Sequence, residues 1–302
     1  MSAHQGQLHI YQPRTEKTNG LVAFEHAPSH PEPKNMILFA TGLTEGLLTV
    51  SYPRDLATRL PQGWSIAEVL LSSAYAGWGT SSLQQDAAEL AQAVSYFRNT
   101  QHKTKIVLMG HSTGCQDCME YVVGPNAKDR PAVDGIILQA PVSDPEAASQ
   151  MVDKTLLHKS IQVAQEFVRE GKANDVLPSA LTGSFFPGPV SAYRWLSLMS
   201  PDHNGDDDYF SSYLTDEQLQ GTFGAILQTD TRLAILYSGS DESVPKSINK
   251  EELIERWIGF AGKSVDKEDS GVIAGANHNY EGVDQSIRED LFSRVVGFVQ
   301  TV

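Results

Sequence analysis

The pentapeptide Gly110-His111-Ser112-Thr113-Gly114 constrains this chain more than any other feature. It lies between a continuous apolar run, residues 106–109, and a helical pattern that begins near Cys115. A serine placed between a strand and a helix sits on a sharp, strained turn. Small residues on either side let the backbone bend there and lift the hydroxyl clear of the sheet. Gly110 and Gly114 supply them. Helix onset at Ser112 also aims backbone N–H groups, that of Thr113 among them, at any oxyanion formed beside the hydroxyl. A glycine-bounded turn without chemistry is the plain alternative, and the strand-turn-helix setting weighs against it.

The rest of the chain repeats the same alternation. Residues 8–11 and 21–24 read as short opening strands, and 36–40 is a continuous apolar run of the kind found in strands covered on both faces. A short helix is predicted over 53–60, a strand over 66–71, and a helix after Ser82, where Ser82 and Gln85 have the spacing of a capping box. Leu83, Ala87, Leu90, Ala91, Val94 and Phe97 then recur at helical spacing. Further strands are predicted at 105–109, 135–138, 233–237 and 271–274, with a last helix carrying Ile287, Leu291, Val295 and Val299 on one side.

Strands alternating with helices predict an α/β fold with a mostly parallel central sheet, helices on both faces, and ligands beyond the carboxyl ends of the strands. Residues 1–302 read as one domain, with 145–227, where the alternation lapses, as a lid or cap insertion.

Two further residues complete a candidate charge relay. Asp241 follows the strand at 233–237, where a carboxylate can reach an imidazole held above the sheet. Its bland role is to cap the turn that follows. Asp144, after the preceding strand, and the adjacent Glu242, which is expected to point elsewhere, are rivals for the same task. His278 lies in Gly275-Ala276-Asn277-His278, a loop after the last strand pattern, and an imidazole with a pKa near 6.5 suits a base that must accept and return a proton. The chain order Ser112, Asp241, His278 is the order a nucleophile elbow requires.

A second oxyanion donor is expected from the loop after residues 36–40, with Gly42 allowing close approach of the backbone and Leu43 N–H donating. Within the insertion, Phe185, Phe186 and Trp195 are candidate substrate contacts. Asp206-Asp207-Asp208 reads as a solvated acidic run, or as one that attracts a positive substrate. Cys115 and Cys118 form a C-x-x-C, read as two buried thiols; no second pair exists for a zinc site. The chemistry needs no metal or organic cofactor.

Composition sets outer limits. A net charge of −14 argues against sequence-independent binding of nucleic acid or anionic membranes. No apolar run approaches a membrane span, and residues 1–20 carry no basic and apolar leader pattern. With only two cysteines, the expected setting is the reducing cytoplasm.

At Ser112, Asp241 and His278 the chain resembles the α/β-hydrolase superfamily. Ala40-Thr41-Gly42-Leu43, the stretch Ser72-Ser73-Ala74-Tyr75-Ala76-Gly77-Trp78-Gly79, and Thr113-Gly114-Cys115-Gln116 also resemble a narrower fungal group. That group includes the intracellular esterases that open fusarinine-type siderophores. The resemblance implies a serine esterase working through an acyl-enzyme, with a small-molecule ester, a ferric siderophore, as substrate; iron would arrive with that substrate. Such siderophores are rings of hydroxamate units joined by esters, and the unacetylated form carries amines that suit an acidic protein. An acyltransferase, an esterase for other small esters, and a non-catalytic binding protein on the same scaffold are the alternatives.

Overall fold

The computed structural model describes residues 3–16, 20–183, 185 and 187–302. Among them, eight strands form one sheet: β1 (Gly6–Gln12), β2 (Leu21–His26), β3 (Asn35–Ala40), β4 (Trp64–Leu70), β5 (Lys105–His111), β6 (Gly135–Gln139), β7 (Arg232–Ser238) and β8 (Gly271–Ile273). Their order is β1-β2-β4-β3-β5-β6-β7-β8. The first two pairings are antiparallel, and the run from β4 to β8 is parallel. The chain is thus of the α/β-hydrolase fold class.

The helices are α1 (Tyr52–Ala57), α2 (Leu83–Asn99), α3 (Gly114–Val123), α4 (Asp144–Met151), α5 (Lys154–Arg169), α6 (Ser179–Thr182), α7 (Ala192–Met199), α8 (Asp216–Gly221), α9 (Lys250–Ala261) and α10 (Gln285–Thr301).

Strand side chains alternate between two faces, and both faces are covered. Met36, Leu38, Ile106, Leu108, Ile136 and Leu138 join a core with α2, α3 and α9. Ile37, Phe39, Val107, Met109 and Ile137 join a second core with α1 and α10. Period-2 alternation of wholly apolar strands therefore serves two cores at once, which is why they read as unbroken apolar runs. At the start of α2, Ser82 Oγ accepts the Gln85 N–H at 3.1 Å, but the Gln85 side chain turns to Glu89 at 3.2 Å, so only half of the expected capping box forms.

The stretch 145–227 serves two cores. Ala148, Ala164, Leu177, Phe185, Ala192, Trp195 and Leu198 build a third core together with Trp78. Tyr209, Phe210, Leu214, Leu219 and Phe223 instead join the main core, with Phe223 stacked on Trp257 of α9 at 5.3 Å. Asp207 and Asp208, read as a solvated run, are buried. Asp207 pairs with the equally buried Arg194 at 2.6 Å, a partner thirteen residues upstream that composition does not reveal. No helix of the described residues is long and apolar enough to cross a membrane.

Candidate active site

Because β3 and β5 to β8 run in one direction, the loops leaving their carboxyl ends gather on one rim. Ser112 caps β5 with φ 54°, a left-handed conformation that costs a non-glycine residue roughly 1–2 kcal/mol. Its N–H donates to the Gln139 carbonyl at 3.1 Å and its carbonyl accepts from Cys115 N–H at 2.8 Å, which holds the turn. A Cβ at Gly110 would sit 2.1 Å from the Gly114 carbonyl oxygen, and one at Gly114 would sit 2.3 Å from that of Ala40. Both glycines are required by close packing at the bend.

The His278 Nε2 lies 2.9 Å from Ser112 Oγ, and its Nδ1 lies 2.7 Å from Asp241 Oδ2. Asp241 is buried, and its other oxygen accepts the Ser243 N–H at 2.9 Å. The arrangement is an unbroken chain of hydrogen bonds from hydroxyl to imidazole to carboxylate, able to move a proton off the serine and to stabilise an imidazolium. Burial alone would lower the His278 pKa. The hydrogen bond that His278 donates to Asp241 and the charges of Asp241, Glu242 and Glu45 outweigh it and raise the pKa above the ordinary value.

Asp144 is on the cleft wall but is not the histidine's partner. It accepts a hydrogen bond from the Gln116 side chain at 2.9 Å, and burial among other acids pushes its carboxyl well above the usual carboxylate range. Glu242, expected to point elsewhere, accepts the backbone N–H of His278 at 3.0 Å and so helps set the height of the imidazole.

Gly42 lies directly against the serine: a Cβ there would come within 2.7 Å of Ser112 Cβ and 3.2 Å of its Oγ. The N–H groups of Leu43 and Thr113 meet no acceptor among the described residues, and both residues line the cleft above Ser112. Phe185 lines it too. Trp195, expected to touch substrate, is not among the residues that line the cleft: it is fully buried in the third core, with Nε1 donating to Ser160 Oγ at 2.9 Å. Its helix α7 turns that face toward α5 rather than the cleft. Phe186 lies outside the described residues.

The cleft has a volume of about 300 Å³. Its lining combines apolar Leu43, Val142, Ala147 and Met151 with polar Glu45, Glu242, His278 and Asn279. Sequence reading missed His111 and Asn279. The His111 ring lies between two side-chain amides, with Gln139 2.6 Å from Nδ1 and Asn279 3.1 Å from Nε2, tying the serine turn to the histidine loop. Burial holds His111 below the ordinary histidine pKa. A histidine inside the serine pentapeptide was the signal available for it. Cys115 and Cys118 are free, and burial raises both thiols well above the usual thiol range.

Fold and site together define an α/β hydrolase of the serine esterase class. A family model described as a protein of unknown function, DUF1749, matches residues 1–300, and the chain belongs to that family. It is 36% identical to an esterase of Emericella nidulans over 98% of this chain and 92% of that one. It is 36% identical to the fusarinine C esterase of Aspergillus fumigatus over 98% and 96% of the two chains. Among solved structures, the siderophore hydrolase EstB from Aspergillus fumigatus is 35% identical with a TM-score of 0.83, covering 99% of this chain and 98% of that one.

Proposed function

We propose that the chain hydrolyses ester bonds of a fusarinine-type hydroxamate siderophore, with Ser112 as nucleophile, His278 as general base and Asp241 as the acid that orients it. The observation that carries the chemistry is the pair of contacts at 2.9 and 2.7 Å through the two ring nitrogens of His278. In the first half-reaction His278 takes the Ser112 proton as Oγ adds to the ester carbonyl. The N–H groups of Thr113 and Leu43 receive the oxyanion, the acyl C–O bond breaks, and His278 returns the proton to the leaving alcohol. In the second, His278 deprotonates water as its oxygen adds to the acyl carbonyl, the acyl–Oγ bond breaks to release the acid, and His278 returns the proton to Ser112.

The substrate class rests on the relatives named a fusarinine C esterase and a siderophore hydrolase, each similar over nearly its whole length. The cleft is compatible with it. Its volume is at the low end for ligand sites, enough for a single hydroxamate arm, so the body of a ferric chelate would rest at the mouth beside the exposed Met151. Glu45 and Glu242 suit an arm that carries an amine. We assign a cytoplasmic setting, in keeping with two free thiols.

Mass spectrometry after incubation with a ferric fusarinine-type ester, its iron-free form and a simple aryl ester tests the reading. Ring opening to linear hydroxamate acids is expected, faster than aryl ester cleavage. Rapid aryl ester turnover with both forms of the siderophore left intact would overturn the substrate and leave the chemistry standing.

A further inference from the structure

Glu68 stands in the middle of β4 between Ala67 and Val69, and is 1% exposed. An ionisable group buried in an apolar strand is costly unless its oxygens are engaged. Both are. Oε1 lies 2.7 Å from Nε2 of buried His26 on the neighbouring strand β2, and Oε2 accepts the backbone N–H of Leu48 at 2.6 Å. That N–H belongs to the loop that leaves β3 and carries Gly42 and Leu43 over the serine.

The loop consists of two abutting turns. Glu45 N–H donates to Gly42 O at 3.2 Å, and Thr49 N–H donates to Gly46 O at 3.3 Å. Each turn contains a non-glycine residue in the left-handed region, Thr44 at φ 67° and Leu48 at φ 64°, which side chains seldom adopt. Such conformations persist where the surroundings over-determine them. Here a carboxylate takes up one backbone N–H in each turn: Glu45 that of Gly42 at 2.9 Å, Glu68 that of Leu48. The first anchor is part of the loop itself. The second is fixed to the sheet, and so it ties the loop to the strand framework. Glu45 and Gly46 are adjacent, so no flexible spacer separates the anchored turn from the turn that presses Gly42 against Ser112.

We infer that Glu68, clamped by His26, is a positioning residue that sets the loop supplying the second oxyanion donor, Leu43 N–H. The inference rests on the role proposed for Leu43. Removing the anchor leaves substrate binding intact and degrades the fit to the tetrahedral intermediate.

The test compares the wild type, Glu68→Leu and Glu68→Gln, the last keeping an oxygen for the Leu48 N–H. Three quantities are measured on each: kcat per titrated active site, KM, and inhibition by a trifluoromethyl ketone, which adds Ser112 and forms an oxyanion, against its methyl ketone analogue, which does not. Glu68→Leu is expected to lose on the order of tenfold to a hundredfold in kcat, with KM within about threefold of wild type. Trifluoromethyl ketone affinity should fall in parallel and methyl ketone affinity should hold, while Glu68→Gln recovers most of both losses. Should Glu68→Leu fold poorly, His26→Leu, which leaves the carboxylate but removes the donor that clamps it, carries the same comparison. Wild-type kcat per active site and an unchanged ratio of the two ketone affinities in every folded variant would overturn the inference. A wild-type protein that forms no Ser112 adduct with the trifluoromethyl ketone would instead remove the reading beneath it.

Discussion

The Ser112 hydroxyl and the His278 imidazole meet at 2.9 Å although 166 residues separate them in the chain. The sheet makes this contact. β5, β7 and β8 lie within four positions of one another and are parallel, so short loops at their carboxyl ends deliver serine, aspartate and histidine to one spot. Links between the loops hold the group together: Ser240 N–H donates to Ala276 O at 2.7 Å, and Lys250 Nζ donates to the Gly239 carbonyl at 2.8 Å.

Two aspartates border the cleft, and their contacts predict opposite fates. Asp241→Asn replaces the acceptor that selects the histidine tautomer and should lower kcat on the order of 10⁴-fold. Asp144 does not touch the histidine, and Asp144→Asn keeps the shape and an oxygen for the Gln116 amide, so it should stay within roughly tenfold of wild type. Steady-state kinetics on both variants checks this.

The raised pKa of His278 sets the sign of the pH dependence. Only the neutral imidazole can act as base, so the acidic limb of kcat/KM should lie above the ordinary 6.5. Glu242→Gln keeps an oxygen for the His278 N–H but removes a charge that favours imidazolium, and should move the limb to lower pH. Stability follows the reverse sense. The contribution of this histidine is complete below its unfolded pKa and is lost as pH rises through the folded value. Thermal melts of wild type and His278→Ala should therefore converge as activity appears.

Gly42→Ala places a methyl carbon 2.7 Å from Ser112 Cβ. The hydroxyl or the loop must shift, and activity should fall by about two orders of magnitude. Circular dichroism should show an unchanged fold.

Phe185 and Trp195 pack together in the third core, but Phe185 also lines the cleft. Phe185→Ala should therefore raise KM as well as lower Tm. Trp195→Ala leaves a void in the third core and should cost about 3–5 kcal/mol, lowering Tm by roughly 10 °C, with little change in KM for the protein that stays folded.

The fold was legible because its signals are local. Apolar runs at 36–40, 105–109 and 135–138 match strands buried on both faces, and the serine pentapeptide marks a bend that its glycines alone permit. The aromatic positions of the insertion were harder. Phe185 and Trp195 have the same hydrophobic character, and only the packing of α5 on α7 decides which one faces the cleft. Charged residues were hardest. Glu68, Glu242 and Asp207 each find a partner through the fold rather than by periodicity, so a sequence shows that they are ionisable but not what they hold. Glu68 did leave one trace: a carboxylate inside the apolar run Ser65-Ile66-Ala67-Glu68-Val69-Leu70.

The central claim, that Ser112 is a nucleophile activated by His278, is tested most directly by reaction with a fluorophosphonate followed by peptide mass spectrometry. The account predicts one phosphonyl group per chain on Ser112, formed faster as pH rises through the His278 pKa and absent in Ser112→Ala and His278→Ala. An adduct on a different serine, together with undiminished ester hydrolysis by Ser112→Ala, would contradict it.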